Sequence, residues 1–471
     1  MDRRLSLEEY LRHPSSTRRS ISRDIRTTFV SSTPSGLAEL QQERLADLVN
    51  YCRTHSKFYE SYYKDLPMEL SLNQIPPVTK HQLMARFDQW VTDSSVSLDA
   101  VEDFLGKQST VGTLFENRYP VWKTSGSTGK TAYLLHDEFA MAVYAALRWV
   151  RGRPLKLAGL APVLKKKGRI AMVIAAGGHY AGSSSVELMH KRFPRMSSGL
   201  QLFDVLRPVA ELVDELNAFD PAIVIGYATS LEILAEERRG GRLKIEPALV
   251  GSVAEVLTPN AREDICGTFG CPVVDEYSTS EFGPITFDCM HGWLHVNSDW
   301  VILEPVERDH SPTPAGRRSH STLLTNLANR VQPLIRYELG DSVLTTENGC
   351  PCGSHFPAIR VDGRRDDILR LPGLDGATVP VSPRALGTLL DSLGGVEHYQ
   401  ALQTGPAQLK VRLSFSDGMD PSSGRQVAEK ALARFFEENG CSEVELIFDA
   451  EPPHRDPATG KYRLIWDARG N

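Results

Sequence analysis

Apolar residues recur every three or four positions through LQQERLADLVNYCRTHSKFYESYYKDL (residues 40–66), the period of one or two amphipathic helices. IPPVTKHQLMARF follows as a proline-rich turn and a short helix. From about residue 119, short β-branched runs alternate with helical stretches. RIAMVIAAGG reads as a strand ending in a glycine turn, LRPVAELVDELNAF as an amphipathic helix and AIVIGYATS as a strand and loop. SLEILAEERRGG is a helix that stops at Gly240 and Gly241, and ALVGSVAEVL is a strand. NAREDICGTFG is a helix capped at Asn260, and PVVDEYSTS is a strand and loop. This alternation predicts an α/β fold with mainly parallel sheet flanked by helices. Ligands of such sheets sit beyond the carboxyl ends of the strands.

Between residues 292 and 361 the pattern changes. WLHVNSDWVILEP, HSTLLTNL and LIRYELGDSVLTT read as strands joined by turns, an antiparallel subdomain. After GRRDDILRL, the alternating runs QLKVRLSF and EVELIFD surround one helix, SGRQVAEKALARFFEENG. The expected organisation is a large N-terminal domain over residues 1–365, with the antiparallel subdomain at 292–361, and a small α+β C-terminal domain over 366–471. No internal repeat or long low-complexity segment interrupts it.

With 471 residues the chain is too long for one ordinary core. A formal net charge of −6 leaves no basic excess to neutralise phosphates, which argues against a nucleic-acid partner. No apolar run approaches the roughly 20 residues that span a bilayer, so no membrane is expected. The Arg- and Ser-rich start resembles a transit peptide, but Asp2, Glu8, Glu9 and Asp24 are out of character for one. It is expected to be a surface arm or helix of a cytoplasmic protein. Seven cysteines make an odd set for disulfides. Cys52, Cys266, Cys271 and Cys441, in apolar or mixed segments, are expected to be small buried hydrophobes.

The strongest chemical signal is Trp122-Lys123-Thr124-Ser125-Gly126-Ser127-Thr128-Gly129-Lys130-Thr131. Two glycines permit close backbone approach, and the hydroxyl and N–H groups form a donor surface for phosphate oxygens. A Walker A loop requires glycine where Thr124 stands, so this is a different phosphate loop. It resembles that of the adenylate-forming superfamily (acyl- and aryl-CoA synthetases, peptide-synthetase adenylation domains, luciferases), above all the phenylacetate–CoA ligase branch. THSKFYESYY and IPPVTKHQL are similar to the N-terminal segments of that branch, and the likeness runs almost to the end of the chain. The resemblance implies that Thr124, Ser125, Gly126, Ser127, Thr128, Gly129 and Lys130 bind ATP. It also implies activation of a carboxylic acid to its acyl-AMP with release of pyrophosphate.

Four further motifs follow in register. Asp275-Glu276-Tyr277-Ser278-Thr279-Ser280-Glu281 resembles Y-G-x-T-E, with Ser278 in place of the usual glycine. By that resemblance Tyr277 lies against adenine, Ser280 reaches phosphate and Glu281 helps hold Mg²⁺, which typically takes one or two carboxylates plus phosphate oxygens. Arg336-Tyr337-Glu338-Leu339-Gly340-Asp341 is similar to R-Y-R-T-G-D, which implies that Asp341 accepts from the ribose hydroxyls. Gly363-Arg364-Arg365-Asp366-Asp367 resembles the hinge motif G-R-x-D-D, with Arg364 on ribose or phosphate and Asp366 as the pivot of a mobile C-terminal domain. His454 to Arg463 resembles P-R-x-x-x-G-K, which makes Lys461 the catalytic lysine between the acid and the α-phosphate.

Strand-end loops holding His179, Tyr180, Tyr227, Ala228, Ser252 and Ser278 are expected to line the acid pocket; their rings and small residues favour an aryl acid. The resemblance implies CoA as acceptor. LRLPGLDGATVPVSP is longer than the family's usual loop, which leaves room for an amine or carrier-protein acceptor. A catalytically inactive nucleotide-binding scaffold is disfavoured by the presence of both Glu281 and Lys461. Cys350-Pro351-Cys352 and the Cys289–His295 stretch together offer four ligands for a structural Zn²⁺. His291 competes with His295 for one position, and the family's L-H-V context favours His295. The oligomeric state is left open, with a homodimer as the candidate.

Overall fold

Ser56 divides the first long amphipathic stretch. Its N–H closes the helix Pro34–His55 on Cys52, and its hydroxyl accepts from Tyr59 at the start of the helix Lys57–Tyr62. The computed structural model describes residues 14–124, 131–152, 160–289, 291–361, 368–374, 376–416, 418–454 and 463–469. The chain forms two compact units, each assembled from three separate stretches.

The first unit comprises residues 1–123, 132–153 and 275–363. Where a surface arm or helix was expected, the helix Pro14–Ser31 forms, and it buries Ile21 and Ile25 completely in a core. A short hairpin pairs Val121–Lys123 with Tyr133–Leu135. From Thr286 onward the chain makes antiparallel sheet. One sheet orders Thr286–Asp288, Leu294–Val296, Ala358–Val361 and Val343–Thr345; another orders Val301–Val306, Ser321–Asn326 and Tyr337–Glu338. LIRYELGDSVLTT therefore contributes to two sheets, and Asp341 lies in the connection between them. Trp90 Nε1 and the Tyr59 hydroxyl both donate to the Pro333 carbonyl, at 2.6 and 3.1 Å, fastening the N-terminal helices to this late segment.

The second unit comprises residues 124–131, 154–274 and 364–471. Its parallel sheet has the spatial order Leu200–Asp204, Ile170–Ile174, Ile223–Gly226, Leu249–Val253 and Val273–Glu276. In chain order this is 2-1-3-4-5, so the winding direction reverses between Ile170–Ile174 and Ile223–Gly226. The helix Pro259–Phe269 is capped by Thr258, whose hydroxyl accepts from Ala261 N–H at 3.1 Å, and not by Asn260. Pro259 explains the shift, because proline is favoured at the first helical position. The same helix turns Ala261, Ile265 and Phe269 inward, so Cys266, one residue round from Ile265, is exposed.

Residues 368–469 add a hairpin (Leu369–Pro372 with Thr378–Val381) and a mixed sheet in the order Glu445–Phe448, Gln408–Phe415, Val396–Gly405, Ile465–Asp467. The long strand Val396–Gly405 and the helix Pro383–Ser392 were not legible from the pattern. Their residues share one hydrophobic cluster with the parallel sheet, running from Phe203, Val224 and Leu231 to Leu386, Val411 and Leu432. Arg370 pairs with Glu236 within this unit. The chain leaves the first unit for the last time between residues 363 and 364. Among the described residues no helix is long and apolar enough to cross a membrane.

Candidate active site and metal centre

Ser278–Thr279 is not a loop but pairs with Gly283–Pro284, which leaves Ser280, Glu281 and Phe282 as a tight turn. Glu281 is 8 % exposed. Burial lifts its carboxyl above the usual range; the Lys80 ammonium opposes this, and the Asp341 charge adds to it. The Tyr337 phenol, itself raised by burial and by the Glu281 charge, hydrogen-bonds the Glu281 carboxylate. The Tyr277 hydroxyl donates to Asp341 Oδ2 at 2.7 Å. Burial, then the Asp341 charge, holds that phenol well above its ordinary value, so it remains a donor.

Lys80 opens the helix Lys80–Met84, which Thr79 and Gln82 cap reciprocally. Just before it, Val78 exchanges backbone hydrogen bonds with residues 336 and 338, setting this helix beside the Tyr337–Asp341 segment. Arg336 sits at φ 49°, a left-handed value uncommon for arginine. It is held there by Glu304, by the Ile75 carbonyl at 2.6 Å and by the Thr325 hydroxyl on its N–H.

In the second unit the expected acid-pocket residues gather at the carboxyl ends of the parallel strands. His179 and Tyr180 follow the first strand in chain order, and Tyr227 and Ala228 follow the third, the two strands flanking the reversal point. No loop separates Gly226 from the next helix: Tyr227 is the N-cap of Ala228–Arg239. The Tyr227 hydroxyl accepts from Ala175 N–H at 3.3 Å, and Thr229 donates to Glu255 through both N–H and hydroxyl at 2.8 Å. Gly178 has φ 64°, and the Tyr180 ring lies 3.2 Å from where its Cβ would stand, so both backbone and space favour glycine. Ser252 Oγ is buried without a hydrogen-bond partner among the described residues, and Ala254 two residues on is left-handed at φ 63°. Buried orphan hydroxyls and strained backbone concentrate at ligand sites.

Cys289, His295, Cys350 and Cys352 converge from the first antiparallel sheet and its loops, with their ligand atoms all within 4.8 Å of one another. Cys289 Sγ is 3.5 Å from Cys350 Sγ, and Cys352 Sγ is 3.2 Å from His295 Nε2. His295 Nδ1 is 2.8 Å from the Phe356 carbonyl, which can only accept. The ring proton is therefore on Nδ1, and the Nε2 lone pair points at the thiols, the tautomer of a metal ligand. Three sulfurs and one imidazole nitrogen suit a tetrahedral structural Zn²⁺. His291 is not part of the cluster.

Protein CapK of Staphylococcus aureus is 24 % identical to this chain over 345 residues, covering 71 % of this chain and 69 % of CapK. The phenylacetate-coenzyme A ligase of Thermus thermophilus is 26 % identical over 379 residues, covering 74 % and 80 %. No protein-family model matches. The crystal structure of 2-hydroxyisobutyryl-CoA ligase with 2-HIB-AMP and CoA, in the thioesterification state, superposes with a TM-score of 0.59 at 18 % identity, covering 94 % of this chain and 92 % of that one. The chain is thus similar in sequence to a phenylacetate-coenzyme A ligase and shares the fold of a second acid–CoA ligase, in keeping with the resemblance to the adenylate-forming superfamily carried by its motifs.

Of the superfamily residues inferred from sequence, the structure brings together Tyr277, Glu281 and Asp341 in one unit, and His179, Tyr180, Tyr227, Ala228 and Ser252 at one sheet edge in the other. Ser278 pairs with Pro284, and Ser280 is fixed through its carbonyl. Thr124 is described and buried. Ser125, Gly126, Ser127, Thr128, Gly129, Lys130, Arg364, Asp366 and Lys461 lie outside the described residues. Sequence reasoning missed Lys80 and Tyr337, whose side chains act on the Glu281 carboxylate. Lys80 was findable as the cation within the IPPVTKHQL segment; Tyr337 acts through a side-chain partner that no motif spells out.

Proposed function

We propose that this protein activates a carboxylic acid with ATP, releasing pyrophosphate and forming an acyl-AMP, and then transfers the acyl group to CoA. The observation that carries the reading is the buried Glu281 carboxylate in the same cluster as the Tyr277–Asp341 pair. A buried carboxylate whose charge is disfavoured gains most from a divalent cation, and adenylyl transfer needs one on the phosphates. Glu281 would hold Mg²⁺, and Asp341, already oriented by Tyr277, would accept from the ribose.

For the acid, the orphan Ser252 hydroxyl supplies a donor at the sheet edge, and Tyr180 and Tyr227 favour an aryl group. CoA is favoured as acceptor by the phenylacetate-coenzyme A ligase relative. Lys461 would neutralise charge in the adenylation step, Arg364 would contact the nucleotide and Asp366 would serve as the hinge between the two half-reactions. The four-residue Cys/His cluster would hold a structural Zn²⁺ and supply no chemistry to the reaction.

The test is acid-dependent ATP–pyrophosphate exchange across aryl and aliphatic acids, followed by product analysis with and without CoA. The expected products are AMP, pyrophosphate and an acyl-CoA. ADP and phosphate would overturn the class. AMP formation that depends on an amine instead of CoA would reassign the acceptor. Lys461→Ala should lower exchange by about 10²–10³-fold, the range for one preorganised stabilising group. Acyl transfer from supplied acyl-AMP should be far less affected.

A further inference from the structure

The turn that carries Glu281 leaves two successive carbonyls, those of Ser280 and Glu281, to be satisfied away from water. Both are taken by side chains. His136 Nε2 is 3.0 Å from the Ser280 oxygen, and Asn326 Nδ2 donates to the Glu281 oxygen at 2.9 Å. The two grips are joined through one hydroxyl: Tyr144 Oη is 3.3 Å from His136 Nδ1 and accepts from Asn326 Nδ2 at 2.7 Å.

The direction of every bond in this ring is forced. A carbonyl only accepts, so the His136 proton is on Nε2, Nδ1 accepts, and Tyr144 donates to it. Asn326 is oriented from its other end, because Oδ1 accepts the N–H groups of Ala328 at 3.0 Å and Asn329 at 3.1 Å. His136, Tyr144 and Asn326 are 1 %, 2 % and 0 % exposed, so water does not replace a lost member. Gly283, left-handed at φ 81°, has the Tyr144 ring 3.3 Å from where a Cβ would be, which seats the phenol directly on the turn. His136 also donates its own N–H to the Pro120 carbonyl at 3.1 Å. The ring is thereby anchored to the base of the hairpin Val121–Lys123/Tyr133–Leu135.

We infer that His136, Tyr144 and Asn326 are positioning residues that clamp the Ser280–Glu281 peptide and fix the Glu281 carboxylate relative to the strand pair Val121–Lys123/Tyr133–Leu135. The inference rests on the reading of Glu281 as the Mg²⁺ carboxylate. All three are buried and act on the turn that carries Glu281, His136 and Asn326 through its main-chain carbonyls and Tyr144 by joining them. The clamp governs the metal–nucleotide side of the reaction and not recognition of the acid.

The informative variant is Tyr144→Phe, which removes only the hydroxyl that joins the two grips. Asn326→Asp turns a donor toward two acceptors into an acceptor, and His136→Phe removes the other grip. His136→Gln restores a donor where Nε2 stands. Each full-length protein is assayed for Mg²⁺ half-saturation, kcat and acid KM in pyrophosphate exchange, and for amide hydrogen exchange over residues 278–286. Tyr144→Phe should raise Mg²⁺ half-saturation and lower kcat by roughly 5–10-fold, as for one buried hydrogen bond. Acid KM should stay within about twofold, and amide protection of the 280–283 turn should fall. His136→Phe should be worse and His136→Gln should recover most of the loss. Unchanged turn protection in Tyr144→Phe overturns the clamp whatever the activity. Equal changes in acid KM and Mg²⁺ half-saturation would reduce the ring to general structural support and also overturn it. Lost protection in a protein whose wild type shows no exchange activity would leave the clamp standing and fail the catalytic reading instead.

Discussion

The Tyr277 phenol donates to Asp341 Oδ2 across 2.7 Å, joining residues 64 positions apart. A carboxylate has two oxygens, and fixing one by a phenol that stays protonated orients the other. Asp341 is in this way prepared as a directional acceptor.

Tyr277→Phe should therefore raise the KM for ATP by roughly 5–10-fold through loss of one buried hydrogen bond. The KM for the acid should not follow it. Asp341→Ala should be more severe. Steady-state exchange kinetics with each substrate varied in turn decide the matter, and a parallel rise for the acid would sink the assignment.

The buried Glu281 carboxyl ties stability to pH. Its folded-state pKa is raised by burial, so its protonated form stabilises the fold below the unfolded pKa, and that contribution is lost as pH rises through the folded value. Glu281→Gln, permanently neutral, should unfold at a higher temperature than the wild type at pH 7 and at nearly the same temperature at pH 4. Its exchange activity should fall by about 10²–10³-fold. Thermal melts of the nucleotide-free protein at the two pH values provide the check; a lower melting temperature at pH 7 contradicts the sign argued here.

For the Cys/His cluster the expected content is about one Zn²⁺ per chain, retained through purification without added metal. Cys350→Ser/Cys352→Ser should lose it and melt at a lower temperature. Elemental analysis and melting curves make the comparison. Metal-free wild-type protein that melts no lower than the zinc-supplemented sample would remove the metal from the account.

Arg151 and Asp299 form a fully buried bidentate pair at 2.5 and 2.7 Å, with Asn297 Oδ1 also accepting from the guanidinium and the Phe356 ring 4.5 Å away. Removing one partner strands the other charge, so Arg151→Met should destabilise by about 3–5 kcal/mol, whereas Arg151→Met/Asp299→Leu should recover much of that. Urea midpoints of the two variants distinguish the outcomes, and a double variant no better than the single would contradict the stranded-charge argument.

Motif residues were legible where a short run carries its own chemistry. The resemblance singled out Tyr277, Glu281 and Asp341, which the fold sets together, and ligand type singled out Cys289, His295, Cys350 and Cys352, although Cys289 and Cys350 lie 61 positions apart. What stayed hidden depends on main-chain partners. His136 matters because Ser280 presents a carbonyl to it, and any residue type has a carbonyl, so no pattern announces the pair. Thr258, and not Asn260, caps its helix because the proline between them takes the first helical position, a cue local to the sequence. The exposure of Cys266 follows from helical phase and not from the apolar composition of its segment. Val396–Gly405 escaped because VEHYQALQTG mixes polar residues into a strand whose buried Gln400 and Gln403 are satisfied by backbone carbonyls.

The way the first unit is stitched has a consequence on the ribosome. Tyr59 and Trp90 wait for the carbonyl of Pro333, and the Ile75 carbonyl waits for the guanidinium of Arg336. At about 5–20 residues per second, the N-terminal helices exist for roughly 15–55 s before those partners are synthesised. Over that interval the apolar faces around Leu45, Leu48, Phe58 and Trp90 are unfinished surface. The nascent chain thus has a long aggregation-prone adolescence, and its yield should depend on holdase chaperones and translation speed more than its finished stability would suggest.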